Sequence, residues 1–127
     1  MSLKSDLFTI VNRVPYSKVA YYGQIAEALS LEFDRHIRAQ IVGWVLSGMT
    51  ITEYDICPWH RIVAKTGAIA ALKLGSKGHL QIELLNKEGV KIIDNTADMK
   101  KYCVQITDLT TFSSDLRTSM NFTQDLF

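Results

Sequence analysis

Two short helical patterns in the first half of the chain constrain its fold more than any other feature. Ile25, Ala28 and Leu29 mark the inner face of a helix over residues 22–29. Ile37, Ile41 and Val45 recur every four residues along a second helix, from about Arg35 to Ser47. The linker SLEFD separates the two, and Asp34 is placed to cap the second. His36, Gln40, Gly43 and Ser47 share another face of that helix, polar and small. Two short helices joined by a tight turn, with such a face on the second, look like a helix-turn-helix whose backbone can approach a nucleic acid closely. The same face is also what an ordinary solvated amphipathic helix presents.

The rest of the chain reads as mainly α with short β elements. Leu3, Leu7, Ile10 and Val14 lie at helical spacing, and Pro15 ends that segment. VPYSKVAYY leads through a turn into the next helix. GMTITEYDICP, residues 48–58, carries no clear period and reads as a loop; WHRIV, residues 59–63, is a short apolar run that extends into a strand. AKTGAIAALKLGSKG suggests a turn and a loop, with Lys73 and Lys77 solvated or in reach of a phosphate. Residues 79–88 form a last amphipathic helix on Leu80, Leu84 and Leu85, and Gly89 stands at its C-terminal cap. Beyond residue 90 the chain turns richer in Thr, Ser and Asp, with KYCVQI as a strand candidate.

Length and composition bound the functions open to the chain. Its 127 residues suit one domain, and 47% hydrophobic residues suffice for an ordinary core. No run of about 18 apolar residues suggests a membrane span, and the N-terminus lacks a signal-peptide pattern, so the expected location is cytoplasmic, nucleoid-associated in a bacterium. Cys57 and Cys103 form no CxxC pair; a disulfide between them stays open, but reduced thiols fit a cytosolic protein better. His36, His60 and His79 are scattered, and no phosphate-cradling glycine loop precedes a helix, so neither a metal nor a cofactor is expected. Net charge is only +1, but residues 1–93 hold 11 Lys/Arg against 8 Asp/Glu, while residues 94–127 hold 3 against 5. Any nucleic-acid surface therefore belongs to the first part.

The segment CPWHRIV, residues 57–63, carries the chemistry. It joins a rigid proline turn, a large flat aromatic, a titratable ring and a fixed cation. Trp59 can stack on a nucleobase but cannot act as a nucleophile; by itself the run also reads as local packing. Pro58-Trp59-His60-Arg61 resembles the Pro-Cys-His-Arg signature of the O6-alkylguanine-DNA alkyltransferases, with tryptophan at the reactive cysteine, the replacement that alkyltransferase-like proteins carry. VAYYGQIA (residues 19–26), IVGWVL (41–46) and LLNKEGV (84–90) resemble that family's segments in the same order. The resemblance covers roughly residues 3–92 and implies a winged helix-turn-helix-like DNA-binding domain of the alkyltransferase C-terminal type over residues 1–92, with residues 93–127 an extension of unknown role.

The same resemblance implies roles. The recognition helix enters the minor groove and bends the duplex, and an alkylated guanine leaves the stack. The base pocket comprises Tyr22, Trp59, His60, Arg61 and Glu88. Tyr22 crowds the 3′ phosphate side of the flipped nucleotide, Glu88 partners His60, and Arg61 braces the site. The DNA-binding surface comprises Tyr22, His36, Arg38, Gln40, Gly43 and Ser47. Gln40 departs from the arginine that the family uses to fill the gap left by the flipped base. Arg38, about 200° away around a helix, does not replace it. Met49 falls near a supporting asparagine of the enzymes.

The implied function is non-enzymatic recognition of O6-alkylguanine in double-stranded DNA, marking it for nucleotide excision repair proteins. Three alternatives remain: a methyltransferase using Cys57 as acceptor, a sequence-reading helix-turn-helix regulator, and a degenerate member whose tail serves a protein partner.

Overall fold

A computed structural model describes residues 2–69 and 76–110; Lys73 and the tail from 111 to 127 lie outside this set. Helix α1 (Leu3–Val11) starts at Ser2, whose side chain accepts from Ser5 N, and buries Leu7, Ile10 and Val11. It stops three residues short of the expected end. Val14 stays fully buried but precedes Pro15, which disfavours the helical region for it.

A short strand β1 (Ala20–Tyr21) leads directly into α2 (Tyr22–Phe33). Gln24 reaches back to accept from Tyr21 N at 3.1 Å, which satisfies a donor at the helix start. The helix runs four residues beyond the expected Leu29, because Leu31 and Glu32 are good helix formers and nothing before Asp34 breaks the pattern. Asp34 is therefore not the cap of the next helix but the end of this one, left-handed at φ 55°.

Residues 35–38 connect to α3 (Ala39–Ser47), which begins four residues later than the sequence suggests, with Arg38 at its N-cap. His36 is consequently not on the helix: its ring bonds Asp34 at 2.8 Å and Ser30 at 3.0 Å. Arg38 is a cap residue in extended backbone, so its expected angular offset from Gln40 along a helix does not apply. The inward face is also shifted. Val42 and Leu46 are buried, followed by Met49 just after the helix, whereas Ile37, Ile41 and Val45 are half-buried. A strict four-residue repeat drifts off the core of a 3.6-residue helix.

The stretch expected to be a loop contains α4 (Ile51–Ile56), started by a capping box in which Thr50 and Glu53 satisfy each other's backbone N–H. A 3-10 turn (Trp59–Arg61) follows and passes into β2 (Ile62–Val63), parallel to β1 with Ala20 opposite Ile62. Helix α5 (Ser76–Lys87) buries Gln81 and Leu85 and leaves Leu80 exposed at its rim; Gly89 ends it at φ +86°. A hairpin, β3 (Ile92–Ile93) and β4 (Thr96–Ala97), turns through Asp94 and Asn95, both at positive φ. Gly67 docks on this hairpin at φ +95°, where a Cβ would clash with Ala97 O.

Short helices α6 (Met99–Tyr102) and α7 (Ile106–Leu109) complete the described chain. KYCVQI is thus not a strand: helix gives way to a single parallel bridge between Cys103 and Val19. Of the segment set apart as 93–127, residues 93–110 pack into the rest. Val104 and Leu109 belong to the main core with α1, α2 and α3; Ala97 and Tyr102 belong to a second cluster with Val63, Leu85 and Val90. Gln24 Nε2 donates to Val104 O at 2.8 Å, and Arg13 Nη1 to Leu109 O at 2.9 Å. No described helix is long and apolar enough to cross a membrane.

Candidate functional site

The Pro-Trp-His-Arg segment is held from three sides. Its own 3-10 turn closes through Arg61 N to Pro58 O at 3.0 Å and Ile62 N to Trp59 O, with Trp59 N donating to Cys57 O at 2.7 Å just before it. From α5, the buried Gln81 donates its amide to His60 O at 2.9 Å and Ile62 O at 2.8 Å. Two bonds from one side chain fix the carbonyls on either side of Arg61, so the segment cannot rotate as a loop would.

Glu88, one residue past α5, is the third attachment. His60 Nε2 lies 2.6 Å from Glu88 Oε2. Arg61 donates Nε to Oε1 at 2.9 Å and Nη2 to Oε2 at 2.9 Å, a two-point contact, and its Nη1 donates to Val14 O at 2.8 Å. The turn before β1 closes on the same group: Ser17 N donates to Glu88 Oε1 at 3.0 Å, Ser17 Oγ donates to Glu88 O, and Tyr16 OH donates to Lys87 O at 3.2 Å. The Tyr16 ring lies under the Arg61 guanidinium at 5.8 Å. Burial pushes the Glu88 carboxyl up, but donors from Arg61, His60 and Ser17 outweigh it and bring the pKa down to about 2. Glu88 is thus an acceptor only, and His60 Nε2 must carry the proton between them.

Trp59 is 9% exposed and packs in the main core, with its ring perpendicular to that of His60 at 6.3 Å between centroids. Cys57, 2% exposed, sits two residues before it; burial first and the Glu53 charge second raise its thiol pKa to about 11. A groove of about 550 Å³ opens beside the segment, between Cys57–Arg61, Asp55 and Ile56 of α4, and Leu80 and Leu84 of α5. Met49 is a buried core residue.

The structure brings Trp59, His60, Arg61 and Glu88 into one network. Tyr22, expected at the base pocket, does not line this groove; it packs at the α2–α3 junction, where its Cε1 is 3.9 Å from a Cβ placed on Gly43. Burial raises its phenol pKa. Gln40 and Ser47 are exposed on α3, with Gly43 half-buried between them; His36 and Arg38 precede that helix. Lys77 Nζ donates to Ser47 O at 3.2 Å, at the C-terminal end of α3. Sequence reasoning missed Gln81, Ser17 and Trp44, which is 61% exposed on α3. Gln81 left a signal: it stands seven residues before Glu88, on the inward line of an amphipathic helix where Leu is expected. Among the described residues no cluster of side chains suits a metal ion.

The DNA-binding-domain model of 6-O-methylguanine DNA methyltransferase matches residues 2–90. The chain belongs to this family. Within the family it is similar to alkyltransferase-like protein 1 of Schizosaccharomyces pombe, at 27% identity over 88 residues, covering 69% of this chain and 76% of that protein. Its fold matches S. pombe Atl1 in complex with damaged DNA containing O6-carboxymethylguanine, with TM-score 0.66 and 23% identity over 83% of this chain and 99% of the other. A second crystal structure, S. pombe ATL in complex with DNA, gives TM-score 0.63 at 22% identity. The shared architecture is the mainly helical alkyltransferase-like DNA-binding fold, in which α2 packs on α3. The family match stops at residue 90, just before the hairpin and the two short helices that pack onto the core.

Proposed function

We propose that this protein recognises alkylated guanine in double-stranded DNA and does not repair it by alkyl transfer. One observation carries the reading: the signature segment keeps its His60–Glu88–Arg61 scaffold but presents Trp59, which has no nucleophilic atom, where the family signature has a thiol. The likeness to an S. pombe protein crystallised with O6-carboxymethylguanine DNA supports the same substrate class.

In this reading α3 lies in the minor groove, Tyr22 presses on the backbone beside the lesion, and the guanine leaves the stack to be read against Trp59. His60 and Arg61 act on the position of Trp59 through Glu88. The complex then marks the lesion for nucleotide excision repair proteins. Cys57 is a poor alternative acceptor, since a buried thiol with pKa about 11 holds almost no thiolate at neutral pH. A sequence-reading regulator is disfavoured because α3 offers Gln40 and Ser47 as its only exposed polar side chains.

The test is binding of purified protein to a duplex with and without one O6-methylguanine, followed by intact mass. Preferential binding to the modified duplex with unchanged mass is expected. A gain of one methyl group, or equal affinity for both duplexes, would overturn the reading.

A further inference from the structure

Trp44 is the largest side chain on α3 and is 61% exposed. Its ring has no hydrogen bond or ring contact among the described residues, unlike the comparably exposed Tyr16, which is spent on Arg61 and Lys87. On an otherwise small, polar face, this exposed indole offers a flat apolar surface that can stack on a partner's aromatic rings. Trp44 stands four residues after Gln40, one turn further along nearly the same line of the helix. Helix α3 bears no charged side chain, whereas exposed Arg38 stands at its start and the Lys77 ammonium at its end. An apolar ring flanked by two cations and no carboxylate on its own helix is complementary to a polyanion with stacked aromatic rings inside it.

We propose that Trp44 is the wedge of this protein, entering the minor groove and pressing between base pairs where Gln40 has neither the charge nor the flat surface to do so. This rests on the proposed DNA reading and adds to it the residue that holds the duplex open. Apolar side chains inserted between base steps from the minor groove unstack and kink the duplex. The half-buried Tyr22 beside it packs against the core, and Gly43 puts no side chain between the helix and the groove, so the ring can reach the stack.

The chain has two tryptophans, so Trp59→Phe leaves Trp44 as sole emitter. Its fluorescence is followed while adding plain duplex and duplex with one O6-methylguanine, and the affinities of Trp44→Ala, Trp44→Phe and Gln40→Ala are measured on both. Strong quenching of Trp44 is expected. Trp44→Ala should lose about tenfold in affinity on both duplexes, as for one stacking contact, with partial rescue by Trp44→Phe. Gln40→Ala should lose less. Unquenched emission with Trp44→Ala binding as wild type would overturn the wedge while leaving lesion recognition standing. If wild type binds both duplexes equally and Trp44 is quenched on both, the lesion reading fails and the wedge stands. If wild type binds no DNA, both fall. The exposure of Trp44 means that its replacement should not unfold the protein, which an unchanged Tm checks.

Discussion

Glu88 Oε2 receives His60 Nε2 at 2.6 Å, and the same carboxylate takes three contacts from Arg61. This carboxylate is a joint between the signature segment, the end of α5 and the turn at Ser17. Because the Glu88 pKa is depressed in the fold, its contribution to stability is present above the ordinary 4.5 and is lost as pH falls from there towards about 2. Thermal unfolding should therefore show Tm falling across that window. Glu88→Gln should cost about 3 kcal/mol at neutral pH, since it leaves the partly buried Arg61 without its partner charge, and should flatten the pH dependence. Parallel pH profiles for wild type and variant would contradict this.

Trp59 has two roles that different substitutions separate. Trp59→Ala should destabilise the fold by about 3–5 kcal/mol, as for other large aromatics removed from a core. Trp59→Phe should keep most of the stability and still lose part of the preference for modified over plain duplex. Urea unfolding and paired affinities measure the two effects; a variant with lowered stability and untouched preference would make Trp59 a packing residue only.

Gly43→Ala should act in opposite directions on fold and function. The added methyl meets only Tyr22 Cε1 at 3.9 Å, an ordinary contact, and alanine favours a helix interior by about 1 kcal/mol. Stability should rise by up to that amount, while affinity for duplex DNA falls several-fold because α3 is held further from the groove. Improved stability with unchanged affinity would show that the duplex does not approach α3 closely.

Cys57 should stay unmodified in the native protein. A thiol with pKa about 11 and 2% exposure should react with an aromatic disulfide reagent at pH 8 far more slowly than Cys103, which is only partly buried. In urea both should react at similar rates. Fast reaction of Cys57 in the folded state would reopen it as an alkyl acceptor.

The helix-turn-helix and the signature were legible because their cues are local: apolar spacing for α2 and α3, and four adjacent residues for the site. What escaped depends on partners far along the chain. Helix α4 is the exception, since Thr50-x-x-Glu53 is a capping box written in the sequence within an otherwise aperiodic stretch. The start of α3 is not legible because Asp34 suits an N-cap as well as a left-handed helix end, and only the backbone at φ 55° decides between them. The Asp94–Asn95 turn is a hairpin cue, but its flanking strands are two residues each and carry no alternation to read. The contacts of Ser17 with Glu88 and of Arg13 with Leu109 span 71 and 96 residues, beyond any periodicity.

On the proposed reading, the joint at Glu88 also bears on where the slow step of an encounter with DNA lies. With His60, Arg61, Ser17 and the backbone around Trp59 already tied, the protein has little left to rearrange when a duplex arrives. In that reading the time course of complex formation should be governed by the nucleic acid. A guanine in a weakened pair should be engaged faster than one in a sound pair, and the protein should behave as a fixed gauge against which the breathing of the helix is measured.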